Sequence, residues 1–514
     1  ADDRKEWLSN YNRDLYLDTN SDKVTYNDFI DREMIHFSKY DCDRSIPNIM
    51  DGLKISLRKI LFSAFKKNLT NEIKVAQFSG YVSEQSGYHH GEASLNAAIV
   101  GLAQNFVGSN NINLFDPNGQ FGTRLQGGKD SASERYIYTQ LNRITRSIFP
   151  NADDNILRYL DDDGTPVEPI YYAPIIPMVL VNGSKGIGTG FSTEILPYHV
   201  PKIVNYLKCK LNKTSTDGII FTPHYEGFKG RIQHLENGKY LITGKYVMLP
   251  DKNVRITELP IGTWTDDYKQ YLETLMDTVD KKGKKVTPII KEYDDMSKST
   301  NVDIVIKFNE NLAQILETNT VEHDCNGLEK LLKLYTTVST SNMHMFDNNE
   351  CLKKYDNIPA IIDDYFDPRL QMYDDRKKYQ LDALQKDLTI MKNKQRYIQE
   401  MLDETLDLRR KSKDAILTMM NEKGFNVIND DTEFKYLLKM TMDSVSEENV
   451  EKIRKSLEET QKKYDELFGT SIQQLWLHDL EQFEKEYALY VDERTRLNES
   501  DDDTKTSKKI KKKK

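Results

Sequence analysis

The sequence is short of cysteine, with four in 514 residues. Cys42, Cys209, Cys325 and Cys351 lie far apart and form no CxxC or Cys/His cluster. That argues against a disulfide scaffold and a cysteine-ligated zinc site, and it suits a reducing compartment. Nor does any apolar run approach the roughly 18 residues of a membrane-crossing helix. The opening Ala1-Asp2-Asp3-Arg4-Lys5-Glu6-Trp7-Leu8 lacks the apolar core of a secretion signal. It does not begin with methionine, so the expectation is an excised piece of a longer chain. Glycine and proline, 25 and 15, are too few for a collagenous or low-complexity chain. What is present is 38% hydrophobic and 30% charged residues, the balance of a folded, soluble, helix-leaning protein. At roughly 100–200 residues per domain, the length allows about three or four domains.

Charge is unevenly spread. The net value is −9, yet Arg44 to Pro150 holds 12 Lys and Arg against 7 Asp and Glu. A locally basic module in an acidic chain points to a polyanion bound at one face, unless the bias is a chance fluctuation.

Residues 1–24 are polar and read as a lead-in from an upstream domain. Residues 25–150 are dense in periodic apolar segments. Ser45 to Lys67 reads as two helices parted near Asp51-Gly52, with Leu53, Leu57, Ile60, Leu61, Ala64 and Phe65 on one face. Gly91 to Phe106 reads as a further helix, with Leu95, Ala98, Ile99, Leu102 and Phe106 inward. Short helices joined by a tight turn and followed by β-rich sequence suit a winged-helix DNA module, a pattern that many helical domains share. Residues 151–365 change character. Tyr240–Thr243, Asn253–Thr257 and Val302–Ile306 are strand-like between Gly and Asn turns, which suggests a separate α+β domain.

Residues 366–405 and 450–490 carry heptads. Leu381, Leu384, Leu388, Met391, Gln395, Ile398 and Leu402 keep a 3-4 spacing, as do Val450, Ile453, Leu457, Thr460, Tyr464 and Leu467. With the compact block 406–449 between them, they predict an antiparallel coiled coil bearing a small domain at its tip. The fold class is multidomain α+β. Residues 491–514 end in a lysine-rich stretch and read as a disordered tail, either solubilising or anchoring to nucleic acid.

Four stretches could carry chemistry. Arg135-Tyr136 follows the glycine-rich run Gly119–Asp130. A tyrosine there could act as a covalent nucleophile, although a phenol with an ordinary pKa of about 10 needs cationic neighbours to react as phenoxide. With 29 tyrosines in the chain, Arg-Tyr alone decides nothing. Tyr88-His89-His90-Gly91-Glu92 precedes a helix. Adjacent histidines rarely converge on one metal, so one imidazole positioning a phosphate at the helix start is the better fit. Gly183-Ser184-Lys185-Gly186-Ile187-Gly188-Thr189-Gly190 looks like a phosphate loop without the Gly-Lys-Ser/Thr ending of a Walker motif. Alternatively, Ile187 at its tip is an apolar wedge between base pairs. Leu160-Asp161-Asp162-Asp163-Gly164 is either a metal cluster or, as acidic turns usually are, solvated surface.

Taken in order, a set of motifs resembles eukaryotic-type DNA topoisomerase II from about Asp3 to Tyr490. They are Ser45-Ile46-Pro47, Asp51-Gly52-Leu53-Lys54, Lys74-Val75-Ala76-Gln77, the His89-His90 motif, Leu102 to Asn111, Phe121-Gly122-Thr123-Arg124, Gly127 to Asp130, Arg135-Tyr136-Ile137, Pro174 to Met178 and Gly186 to Gly190. The resemblance implies the breakage–reunion core of a type IIA enzyme. Residues 25–150 would be its winged-helix domain, 151–365 the tower, 366–405 with 450–490 the coiled coil, and 406–449 the C-gate dimerisation domain. By motif position, Tyr136 matches the nucleophile that forms a 5′-phosphotyrosyl link. Arg135 matches the adjacent arginine on the scissile phosphate, His90 the histidine near the leaving 3′ oxygen, and Arg44 a further phosphate-site arginine. Ile187 matches the isoleucine that intercalates and bends DNA. Lys54, Arg58 and Lys59 match the basic helix on the DNA backbone.

The implied partners are double-stranded DNA and a second copy of the chain, with no membrane. The full-length enzyme would need Mg2+ and ATP. The Toprim metal ligands and the ATPase domain find no match in these residues. No metal ligand is therefore assigned, no cofactor is expected bound, and cleavage by this piece alone should be weak or absent. The resemblance also implies a nuclear protein, or one at a cytoplasmic replication site if the short tip block and tail mark a large DNA virus; a protist source fits equally. Two alternatives stand beside it. One is a non-catalytic architectural DNA-binding dimer with an inert tyrosine. The other is a condensin-type coiled-coil protein, which would require a Walker motif that is missing.

Overall fold

Helix Ile55–Lys67 forms where the apolar spacing predicts it, with Ile60, Leu61 and Ala64 fully buried. It closes on Asn68, whose φ of 48° supplies the left-handed residue that ends many helices. The helix expected to begin at Ser45 is absent. A helix instead ends there, Ile35–Ser45, and residues 46–54 form a turn. Pro47 has no amide hydrogen to offer a helix. Asp51 is fully buried and accepts the amides of Leu53 at 3.0 Å and Tyr172 at 2.9 Å. A buried carboxylate needs such donors, and the turn is shaped around them.

This computed structural model describes residues 2–510 apart from 13, 19, 21, 251–252, 279–286, 310–311, 320, 429–430 and 442–445. Two compact units emerge. One comprises Ala1–Arg369 with Asp479–Lys514, the other Leu370–His478. The stretches read from sequence as 25–150 and 151–365 fall within the same unit.

In the larger unit, helices Ile55–Lys67, Val75–Ser86 and Glu92–Ala103 pack on one another around Phe78, Val82, Ile99 and Phe115. The third stops before Phe106, which is half-buried beyond its end. The three strand-like segments all appear as strands. Asn253–Glu258 lies between Ile304–Phe308 and Lys245–Met248 in a four-stranded antiparallel sheet, and Lys239–Thr243 is central in a three-stranded one. The larger sheet buries Val254, Ile256, Ile304 and Ile306 against Tyr268 and Leu272 of helix Thr265–Met276. Alternate strand residues share a face, so the inward set is the one the sequence alternates.

The chain end corrects one expectation. Residues 491–510 continue the helix Ile472–Ile510 where an irregular tail is expected, and the lysines at 511–514 lie outside the described residues. The reason lies in the loop 105–113. Arg494 is buried and donates to the carbonyls of Asn111 at 2.8 Å and Asn105 at 2.6 Å, while Tyr490 Oη donates to Asn113 Oδ1 at 2.5 Å. Hydrogen bonds to a charged group contribute about 1.5–3 kcal/mol each, enough to hold a helix that composition alone leaves solvated.

In the smaller unit, the part of helix Ile358–Leu402 from Leu370 onward and helix Glu447–Gly469 run antiparallel. Lys377 Nζ reaches the carbonyl of Thr470 at 2.7 Å, Thr460 contacts Met391, and Val450 and Ile453 pack on the cluster containing Tyr397 and Ile398. Leu388 and Ile398 are buried heptad positions, whereas Leu402 is 38% exposed. The block between the helices has its own core of Leu406, Met420, Phe425, Phe434 and Leu437. No helix among the described residues is long and apolar enough to cross a membrane.

Candidate active site and nucleic-acid interface

The loop bearing Tyr136 is pinned at both ends. Strands Ile73–Lys74 and Tyr138–Thr139 pair antiparallel. Just beyond, the amides of Val75 and Ala76 donate to the carbonyls of Ile137 at 3.1 Å and Glu134 at 3.2 Å. These amides open helix Val75–Ser86 and would otherwise lack partners. On the other side, Asp130 accepts the amide of Thr123 at 2.8 Å and its hydroxyl at 2.6 Å, and the Ala132 amide donates to Gln120 at 2.9 Å. A Cβ on Gly122, at φ 98°, would stand 2.5 Å from the backbone of Gly128. Closing the glycine-rich run therefore requires glycine there. Between the anchors Tyr136 is 75% exposed, and its hydroxyl has no hydrogen-bond partner among the described residues. Arg135 and Lys129 line an adjoining cleft of about 660 Å³, and neither makes an ion pair among the described residues.

A second group gathers on helix Ile35–Ser45. Tyr40 and Arg44 are one turn apart and share a face. The Arg44 guanidinium lies over the Tyr40 ring, 5.7 Å from its centroid, and its Nε is buried with no hydrogen-bond partner among the described residues. The Tyr40 hydroxyl is bonded to Nε2 of His90, and the His90 ring meets that of Tyr88 edge-on at 5.3 Å. Burial, then the nearby charges of Arg44, His89 and Lys59, push the His90 pKa down, so its imidazole is neutral at pH 7. With Nε2 occupied, Nδ1 is the nitrogen left for a further partner. An unpaired buried donor such as Arg44 Nε costs about 1–3 kcal/mol, a cost that a bound anion offsets. Sequence reasoning missed Tyr40. Its spacing of four from Arg44 was the available signal.

The third element is a hairpin. Strands Ser184–Gly188 and Phe191–Ile195 pair antiparallel across the turn Thr189-Gly190. The segment is therefore a strand and turn, not a phosphate-cradling loop. Alternation puts Gly186 and Gly188 on one face and Ile187 on the other. A Cβ on Gly186 would lie 1.8 Å from the carbonyl oxygen of Ser45, so helix Ile35–Ser45 sits directly beneath. Ile187 consequently stands on the far side, 80% exposed. Gly186→Ala forces the hairpin off that helix. Overpacking of this kind costs about 1–3 kcal/mol, to be read as a lowered urea midpoint and faster proteolysis at residues 184–195.

The basic-helix expectation needs correction. Arg58 is only 7% exposed. Its Nε and Nη2 bond Asp51 at 2.6 and 3.0 Å, and Nη2 also donates to the Leu53 carbonyl at 3.1 Å. Burial opposes its charge, but Asp51 outweighs that and raises the pKa above the usual arginine value. Lys59 donates to Glu168 at 2.8 Å and to the Ser86 carbonyl at 2.5 Å. Neither side chain is free to meet a DNA backbone. Lys54 donates to the Lys185 carbonyl at 2.7 Å and props the hairpin from below, and desolvation lowers its pKa. Lys54 and Arg58 are a turn apart, but their side chains leave for different partners.

The acidic turn is ordinary hairpin structure. Asp161 accepts the amide of Gly164 at 2.8 Å, between strands Tyr159–Asp162 and Thr165–Pro169. Among the described residues no three His, Cys, Asp or Glu side chains are placed to hold a metal ion. Arg44 and Lys54 line one cleft with Ser94, Ala98 and Ser184. Arg135 lines another with Ala93, Asn96 and Ala97. Helix Glu92–Ala103 thus serves both, and no contact among the described residues joins Tyr136 to Arg44 or His90.

Comparison with known proteins places the chain in a family. Residues 44–481 match the family model for DNA gyrase/topoisomerase IV, and residues 1–42 match the C-terminal associated domain of TOPRIM. The chain belongs to the type IIA DNA topoisomerases. It is 41% identical to DNA topoisomerase 2 of Arabidopsis thaliana over 523 residues, covering 94% of this chain and 34% of that topoisomerase. Against DNA topoisomerase 2-beta of Gallus gallus it is 38% identical over 530 residues, 94% of this chain and 32% of the relative. The chain therefore spans about a third of the length of the curated relatives it matches. Among solved structures it resembles the Plasmodium falciparum topoisomerase II DNA-binding, cleavage and re-ligation domain. The TM-score is 0.84 at 37% identity, over 98% of this chain and 69% of that one.

Proposed function

We propose that this chain is the DNA-binding and breakage–reunion core of an ATP-dependent type IIA topoisomerase, with Tyr136 as nucleophile. Tyr136 Oη attacks a backbone phosphorus. The new O–P bond leaves the 5′ end on the tyrosine while the P–O3′ bond breaks; the phenol gives up its proton and the 3′ oxygen gains one. One phosphodiester replaces another, so the reverse attack reseals the strand without an energy-rich cofactor. Arg135, beside the tyrosine, and Arg44, at the second cleft along helix Glu92–Ala103, together with neutral His90 are the groups assigned to the charge developing on the phosphate oxygens. Ile187 enters between base pairs, and phosphate contact with bending gives sequence-tolerant binding.

One tyrosine per chain cuts one strand, so cutting a duplex takes a two-fold homodimer. Residues 25–150 serve as the winged-helix domain, 151–365 as the tower, 366–405 with 450–490 as the coiled coil and 406–449 as the dimerising C-gate. Magnesium and ATP belong to parts of the full-length enzyme outside these residues, and no step above is routed through them. The protein acts in the nucleus, or at a cytoplasmic replication site if its source is a virus.

One observation carries the proposal: an exposed tyrosine held out by a braced loop beside an arginine, neither side chain with a hydrogen-bond or ion-pair partner among the described residues. The test is a denaturant-trapped adduct assay on nicked duplex with magnesium, the modified peptide being identified by mass spectrometry. This chain runs beside one extended upstream by its native sequence. Adduct on Tyr136 in the extended chain alone is the expected result. Its absence from both would leave a non-catalytic DNA-binding dimer.

A further inference from the structure

The turn that carries the hairpin is gripped from below by residues of the 1–42 segment. Asp41 Oδ2 accepts both the amide of Thr189 at 2.6 Å and its hydroxyl at 2.7 Å. Cys42 Sγ lies 3.8 Å from the Thr189 carbonyl oxygen. A Cβ on Gly190 would stand 1.7 Å from Nη1 of Arg4, so helix Asp2–Ser9 also touches the turn. All three residues lie in the part that matches the C-terminal associated domain of TOPRIM, whereas the hairpin lies in the gyrase/topoisomerase IV part.

A two-residue hairpin turn takes its geometry from the strands it joins. Here a carboxylate takes both donors of its first residue, and the glycine-lined strand cannot tilt without striking the Ser45 carbonyl. Ile187 is two residues from that clamp and opposes Ser192 in the strand pair. The height of Ile187 above the helix is thus held at the turn, where Asp41 grips Thr189, as well as at the strand's other end, where Lys54 donates to the Lys185 carbonyl.

We propose that Asp41 is a positioning residue for DNA bending, and that through it the 1–42 segment sets how far Ile187 reaches into the duplex. This rests on the reading of Ile187 as the bending wedge. Charge-assisted hydrogen bonds are among the stronger ones, so their loss should be visible in the balance of bent and straight DNA.

The test uses the full chain and a short duplex with a fluorophore at each end. Energy transfer reports bending, and anisotropy across a salt series reports binding. Asp41→Ala should lower the ratio of bent to straight complexes roughly tenfold, and Thr189→Val should lower it less. Thr189→Ser, which keeps both donors, should bend as wild type. The salt slope, set by phosphate contacts, should be unchanged in all of them, which a misfolded variant would not manage. Adding Thr189→Val to Asp41→Ala should do no further harm. If Ile187→Ala abolishes bending while Asp41→Ala bends normally, the wedge stands and the role of Asp41 is overturned. If wild type bends no DNA, or Ile187→Ala bends it fully, the wedge reading fails and this proposal with it.

Discussion

Tyr136→Phe in the upstream-extended chain should bring covalent DNA adduct to background while leaving DNA affinity and stability where they were. The substitution removes one oxygen from a ring that is 75% exposed and whose hydroxyl bonds nothing among the described residues. Exposed changes of that kind usually stay within about 0.5 kcal/mol. The loop is held by backbone bonds at Glu134 and Ile137 and by Asp130, none of which involve the phenol. All of the effect should therefore fall on chemistry. Gel-trapped adduct measures the first part and fluorescence anisotropy the second. An unchanged adduct yield would remove Tyr136 from the reaction; an affinity loss beyond about twofold, or roughly 0.4 kcal/mol, would show that the phenol also helps hold DNA.

Arg58→Ala should behave in the opposite way, with a large loss of stability and no special effect on DNA contacts. Removing the guanidinium leaves Asp51 fully buried beside two backbone amides, a charge short of its cation. Breaking a buried pair from one side costs about 3–5 kcal/mol. Denaturant unfolding followed by fluorescence should show it as a marked fall in midpoint. The double change Arg58→Ala with Asp51→Ala should cost less than the two singles together, because the second removes the stranded charge. A surface residue on the DNA backbone would instead leave the midpoint alone and reduce the salt slope by about one. That outcome would restore the expectation drawn from the sequence.

These two residues mark what could be read without a structure. Tyr136 stood out as a candidate because an ordered set of motifs surrounds it, each with residue types that chemistry demands. The helix 55–67, the strands at 240, 253 and 304, and the heptads around 388 and 398 were legible from period alone, since burial of one face imposes it. Ile187 was noticed as a lone apolar residue between glycines, but the sequence placed it at a loop tip; the strand Ser184–Gly188, with its glycines against the helix, is what turns it outward.

What the tertiary structure decided was the fate of charges and of chain ends. Arg58, Lys59 and Lys54 sit on one basic stretch, yet they go to Asp51, to Glu168 and to the carbonyl of Lys185. The last two partners are 109 and 131 residues away in sequence. No local pattern distinguishes a lysine that meets solvent from one that meets a distant carboxylate, because the desolvation that separates them depends on what packs above. Residues 491–498 looked like the start of a tail, until the carbonyls of Asn105 and Asn111 drew Arg494 into the interior. Tyr40 became part of the site only when folding set it between Arg44 and His90. Periodicity and motif order are properties of the chain itself, so the sequence determined the family and the regular elements and singled out Tyr136 as the candidate nucleophile. Pairing across a hundred residues is a property of the packed molecule, and only the fold assigned each charge its partner.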